Sequence, residues 1–93
     1  MEIMKDQKLI YLNRRKTEID QLKQSLLDNS FELGLVIGHR LKGHGETFGF
    51  PHISSIGVIM ETAAKDKNME KLKEAVNSLD QSIEESLRLI NQK

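Results

Sequence analysis

Apolar positions along this chain recur at intervals of three and four, in four separate segments. From about residue 7 to 28, Leu9, Leu12, Ile19, Leu22 and Leu26 are spaced by threes, fours and one seven, as in a helix with one buried face. Arg15 takes the missing place in that stripe, where its stem is expected to pack while its head reaches water. Asp28, Asn29 and Ser30 interrupt the pattern, and Ser30 is the expected N-cap of the next helix. That helix is expected over about 31 to 48. At about 100° per residue, Ile37, Leu41, His44 and Phe48 share one side; Glu32, His39, Lys42, Gly43 and Glu46 share the opposite one. Gly34, Gly38 and Gly45 form a third stripe on a flank of the buried side, where missing side chains let a neighbouring helix come close.

Gly49-Phe50-Pro51 is the next boundary, with Pro51 suited to a first helical position. A third helix is expected over about 51 to 64, with Ile53, Ile56 and Met60, and Ile59 beside it, on the inner face. Residues 64 to 68 form a polar connection in which Asn68 can cap a fourth helix over 69 to 91. There Leu72, Val76, Leu79, Ile83, Leu87 and Ile90 alternate by fours and threes. Residues 1 to 7, with Ile3 and Met4, show no clear period and read as a frayed lead-in. Four amphipathic helices with short links imply an all-α, up-down-up-down antiparallel four-helix bundle forming a single domain over 1 to 93.

Composition narrows the possibilities. The chain has 93 residues, enough for one modest core. Charged residues make up 30 % and aromatic ones 4 %, yet the formal net charge is zero, so no global field draws the protein to nucleic acid or an acidic membrane. The basic run Arg14, Arg15, Lys16 is answered by Glu18 and Asp20 and reads as a solvated face. With no cysteine, disulfides and thiol catalysis are excluded. No apolar run approaches the ~18 residues of a membrane span, and no signal-peptide core opens the chain; a soluble, cytoplasmic protein is expected.

The candidate chemistry lies in residues 38 to 50, GHRLKGHGETFGF. A glycine in a helix interior costs roughly 1 kcal/mol against alanine, so Gly38, Gly43 and Gly45 require a reason of packing or access. A histidine on a helix is most often a solvated bystander, but three neighbours raise His39 above that. Lys42, one turn on, could neutralise an anion held at the imidazole. Gly43 leaves open space beside the ring, and Leu35 is an apolar residue where a solvated face would place a polar one. A nucleophilic nitrogen, a cation, a cleared approach and an apolar fringe suit a group that accepts a phosphoryl and docks a protein.

His39-Arg40-Leu41-Lys42-Gly43, followed by Phe48-Gly49, resembles the H-x-[LI]-K-G-x-x-x-x-[FLM]-G signature of histidine phosphotransfer (HPt) domains. Ile53, Ile56, Gly57, Met60 and Glu61 are similar to the pattern of the next helix in that family, and Thr47-Phe48-Gly49-Phe50 resembles the phosphoacceptor domain of chemotaxis-type histidine kinases. The resemblance implies that His39 accepts the phosphoryl through Nε2, that Lys42 stabilises the phosphoryl oxygens, and that Gly43 gives the partner access. It also implies that Glu61 matches the carboxylate that hydrogen-bonds imidazole Nδ1 in the chemotaxis-type domains. An acceptor at Nδ1 fixes the tautomer that leaves the Nε2 lone pair free. Leu35 and Val36, with Gly43 and Glu46, are the expected partner surface.

The chain departs from the family in carrying Gly38, where alanine is usual, and His44 and Gly45, where serine or alanine is common. His44, nearly opposite His39 on the wheel, is expected to be buried or half-buried with one hydrogen bond. His52, in a first helical turn where positive charge is disfavoured, is expected to be neutral and structural. The three histidines lack the spacing of a metal site.

What the resemblance implies as a whole is a phosphocarrier of a two-component phosphorelay, not an enzyme. It would be a monomer exchanging a phosphoryl group with the aspartate of a receiver domain of a response regulator or hybrid kinase. No cofactor is expected in this chain; the magnesium ion belongs to the receiver. The alternatives are the phosphoacceptor domain of a chemotaxis-type kinase, and a helical adaptor without phosphoryl chemistry.

Overall fold

The four apolar stripes become four helices that close on one core. The computed structural model describes residues 4–91, with α1 at Lys5–Leu27, α2 at Glu32–His44, α3 at Pro51–Lys65 and α4 at Met69–Asn91. No strand occurs among the described residues. Leu12 and Leu22 of α1, Ile37 and Leu41 of α2, Ile53 and Met60 of α3, and Leu72, Leu79 and Ile83 of α4 are all but inaccessible to solvent. Burying such a side chain contributes about 1.5–3 kcal/mol. Helix α2 packs most extensively on α3, and α4 packs on both α3 and α1, whereas α1 and α2 touch only slightly. No described helix is long and apolar enough to cross a membrane.

Several helix ends differ from expectation. Of the expected lead-in, residues 1–3, with Ile3, lie outside the described residues, and α1 already runs from Lys5. At its far end, Asn29 takes a positive φ of 57°, and the N–H groups of Asn29 and Ser30 donate to the carbonyls of Leu26 and Ser25 at 3.1 and 2.9 Å. This paired closure carries the chain past Ser30, so Ser30 is not the cap of α2. Phe31 holds that position, with no side-chain hydrogen bond. Lys67 (φ 54°) closes α3 in the same way. Asn68 Oδ1 then accepts the N–H of Lys71 at 3.1 Å and caps α4.

Helix α2 ends at His44 rather than near Phe48, and the cause lies on another helix. The N–H of Glu46 donates to Ser54 Oγ at 2.7 Å, and that hydroxyl donates to the Leu41 carbonyl at 3.2 Å. A side chain from α3 is thereby inserted into the hydrogen-bond ladder. Gly45 makes room for it: a Cβ there would lie 2.7 Å from the backbone nitrogen of Ser54. The chain winds through one further turn, Phe48 N–H donating to the His44 carbonyl at 3.1 Å, and Gly49 (φ 91°) ends it.

Two side chains also sit differently. Arg15 is only 9 % exposed: its Nε pairs with Glu18 Oε1 at 2.8 Å, and its head lies over the Tyr11 ring at 4.5 Å. Its head is held against these partners and not in water, with Nε ion-paired but without a hydrogen bond. Ile59 is not on the inner face but 54 % exposed. The buried arc of α3 runs through Ile53, Gly57, Met60 and Ala64 and turns Ile59 outward. Tyr11, absent from the α1 stripe, is buried and stacks on Phe48 at 4.4 Å.

Candidate functional site

The site is made by the contact of two backbones. A Cβ on Gly38 would fall 2.7 Å from the Glu61 nitrogen and 3.0 Å from the Gly57 carbonyl oxygen. One on Gly57 would fall 2.6 Å from the Lys42 nitrogen and 2.7 Å from the Gly38 oxygen. Only glycine at both positions lets α2 and α3 approach this closely. Glycine at position 38 thus has a steric reason.

That approach sets Glu61 of α3 beneath His39 of α2. His39 Nδ1 and Glu61 Oε2 are 2.8 Å apart, and Lys42 Nζ donates to Glu61 Oε1 at 2.9 Å. Lys65, one turn further along α3, holds its Nζ 4.0 Å from Oε2. The Glu61 side chain is 9 % exposed, while that of His39 is 69 % exposed.

The hydrogen bond from Lys42, and after it the one from His39, holds the Glu61 carboxyl below the usual carboxylate range, against the opposing effect of burial. An ionised carboxylate can only accept. In the neutral imidazole the proton therefore belongs on Nδ1, which leaves the Nε2 lone pair free for a nucleophilic role.

The surroundings of the ring are open on one side and apolar on the other. A Cβ added at Gly43 would meet nothing within 4 Å. Half-buried Leu35 and exposed Val36 line a shallow groove beside His39, together with Arg40, Glu61 and Lys65. Glu46 is exposed in the turn after α2 and does not line this groove.

The other histidines lie elsewhere. His44 is half-buried, its Nδ1 2.9 Å from the Tyr11 hydroxyl. Burial, and then the charges of Arg15 and Arg40, lower its pKa from 6.5. His52 is exposed, with Nε2 3.4 Å from Ser86 Oγ. Among the described residues, no group of three His, Asp or Glu side chains could hold a metal ion.

Sequence reasoning missed Lys65 and Ser54. The i, i+4 spacing of Glu61 and Lys65 was a visible signal, though one shared with many solvated pairs. Nothing local marks Ser54, whose role depends on the Leu41 carbonyl thirteen residues away. Comparison of the chain with models of known protein families, with curated proteins and with solved structures finds no match. Its class must be read from the site.

Proposed function

We propose that this chain is a histidine phosphotransfer domain of a two-component phosphorelay, carrying a phosphoryl group on Nε2 of His39. The observation that carries the reading is an exposed imidazole whose Nδ1 is held at 2.8 Å by a buried, ionised carboxylate. The donor is the aspartyl phosphate of a receiver domain. The Nε2 lone pair attacks phosphorus, the P–Nε2 bond forms, and the P–O bond breaks with its electron pair leaving on the aspartate. The ring gains positive charge but keeps its Nδ1 proton on Glu61, so no proton has to move during transfer. The reverse step returns the phosphoryl group to a receiver. Lys42 offsets charge on the phosphoryl oxygens, and the receiver supplies its magnesium ion.

The surface offered to the receiver is Leu35, Val36 and Gly43 beside the ring, with Glu46 in the turn after α2. The bundle is up-down-up-down and antiparallel. In support, Lys16 pairs with Glu84 and Lys23 with Asp80, and position 38 meets 61 while 45 meets 54. The protein is a monomeric, cytoplasmic phosphocarrier and not an enzyme.

The His39–Glu61 bond also favours a second reading, the phosphoacceptor domain of a chemotaxis-type kinase, because Glu61 matches the carboxylate of those domains. The ring chemistry is unchanged and ATP on the kinase is the donor. Intact mass after treatment with phosphoramidate tests both. One phosphoryl per chain, labile in acid and absent from His39→Gln, is expected; no uptake by folded wild type contradicts both. Phosphorylation by kinase and ATP without a receiver selects the second reading.

A further inference from the structure

Glu61 serves three cations, and they are not equivalent. Lys42 Nζ occupies Oε1 at 2.9 Å, His39 Nδ1 occupies Oε2 at 2.8 Å, and Lys65 Nζ stands 4.0 Å from Oε2 with its side chain 64 % exposed. With two donors already on the carboxylate, a third cation gains little and stays in water.

Phosphorylation at Nε2, the reading proposed above and the one on which this inference rests, changes that balance. A phosphoryl group brings about two negative charges near neutral pH. Lys42 is the cation one turn from His39, and its side chain is 44 % exposed and able to turn. Engaging the phosphoryl oxygens draws it off Oε1. Glu61, only 7 % exposed, would then lose the strongest of the partners that keep it ionised. Glu61 keeps the His39 Nδ1–H on Oε2, but its Oε1 is left without a cation, and in a buried carboxylate that disfavours the ionised form on which the Nδ1 hydrogen bond depends.

We infer that Lys65 is a positioning residue of this site, the reserve counter-ion that closes on Glu61 when Lys42 leaves it. Closing from 4.0 Å to hydrogen-bond distance of Oε2, which can accept a second donor beside His39 Nδ1, requires a movement of about 1 Å at the end of a flexible four-carbon stem. Lys65 is on the same helix as Glu61 and lines the groove beside the ring, so the change needs no backbone motion.

The exchange can be tested without any phosphoryl group, because Lys42→Ala removes Lys42 from Glu61 directly. The Glu61 carboxyl is titrated by carbon NMR in wild type, Lys42→Ala, Lys65→Ala and the double variant, with circular dichroism confirming the fold of each. Lys65→Ala is expected to raise the Glu61 midpoint several times further in the Lys42→Ala background than in wild type, with Lys65→Arg restoring it. Equal shifts in the two backgrounds overturn the reserve role. A parallel arm treats wild type and Lys65→Ala with phosphoramidate, and faster loss of the phosphoryl group from Lys65→Ala is expected. Uptake by wild type with additive titration shifts sinks the Lys65 role and leaves the phosphoacceptor standing. No uptake with strong coupling removes the phosphoacceptor reading and leaves the exchange on Glu61 established.

Discussion

The seam between α2 and α3 and the seam between α1 and α4 are built on opposite plans. Between α1 and α4, large side chains fill the contact, with Leu12, Ile19 and Leu22 in one core with Leu79 and Ile83. The rim carries exposed pairs, Lys16 with Glu84 at 3.4 Å and Lys23 with Asp80 at 2.9 Å. Between α2 and α3, Gly38 and Gly57 bring backbone to within contact of backbone. Side chains can repack by small rotamer changes, but two backbones cannot. The rigid seam is the one that must hold a carboxylate and an imidazole from different helices at 2.8 Å.

Substitutions on the two sides should separate stability from site geometry. The largest effect is expected on the side-chain seam: Leu79→Ala should lower the unfolding free energy by about 2–5 kcal/mol. The His39 ring signals in NMR should stay close to wild type. Gly57→Ala should cost less, about 1–3 kcal/mol as overpacking does, yet should disrupt the His39–Glu61 hydrogen bond. Denaturant unfolding together with the His39 ring nitrogen shifts checks both; an undisturbed site in Gly57→Ala would refute the backbone-seam account.

Gly43 gives a contrasting case on the open face of α2. Space surrounds it, so Gly43→Ala should stabilise the helix by up to about 1 kcal/mol. If a receiver approaches over this position, the same change should slow transfer from an aspartyl phosphate while leaving uptake from phosphoramidate intact. Equal rates with both donors would remove Gly43 from the docking surface.

The smallest effects are those of pH, and their signs are fixed. The folded pKa of His44 is lowered from 6.5 and that of Glu61 from 4.5. In each case the unfolded chain binds its proton first. The contribution of His44 is present above about pH 6.5 and is lost as pH falls through its folded value. That of Glu61 is present above about pH 4.5 and is lost lower still. His44→Gln should flatten the upper part of the stability curve and Glu61→Gln the lower part, as read by denaturant midpoints across pH.

Most of the helical framework was legible because it rests on periods within single segments. The stripe from Leu72 to Ile90 foretold α4, and the flank of Gly34, Gly38 and Gly45 announced a close neighbour. His39 and Lys42 stood out because they are one turn apart. Glu61, 22 residues from His39, came only through the resemblance, since no local period relates two helices. The end of α2 was misread because Ser54 intervenes from α3. Arg15 was misread because Tyr11 and Glu18, not water, surround its head. Lys65 was passed over because a Glu-Lys pair at i, i+4 has the same spacing on any solvated helix.

In the proposed function, Glu61 fixes the proton of His39 on Nδ1 and leaves Nε2 to take the phosphoryl group. Long-range proton–nitrogen NMR of the His39 ring, before and after phosphoramidate, tests it directly. The Nδ1–H tautomer is expected in the free protein, and phosphorus coupling to Nε2 in the product. An Nε2–H tautomer, or a phosphoryl group on Nδ1 or on another histidine, would contradict it.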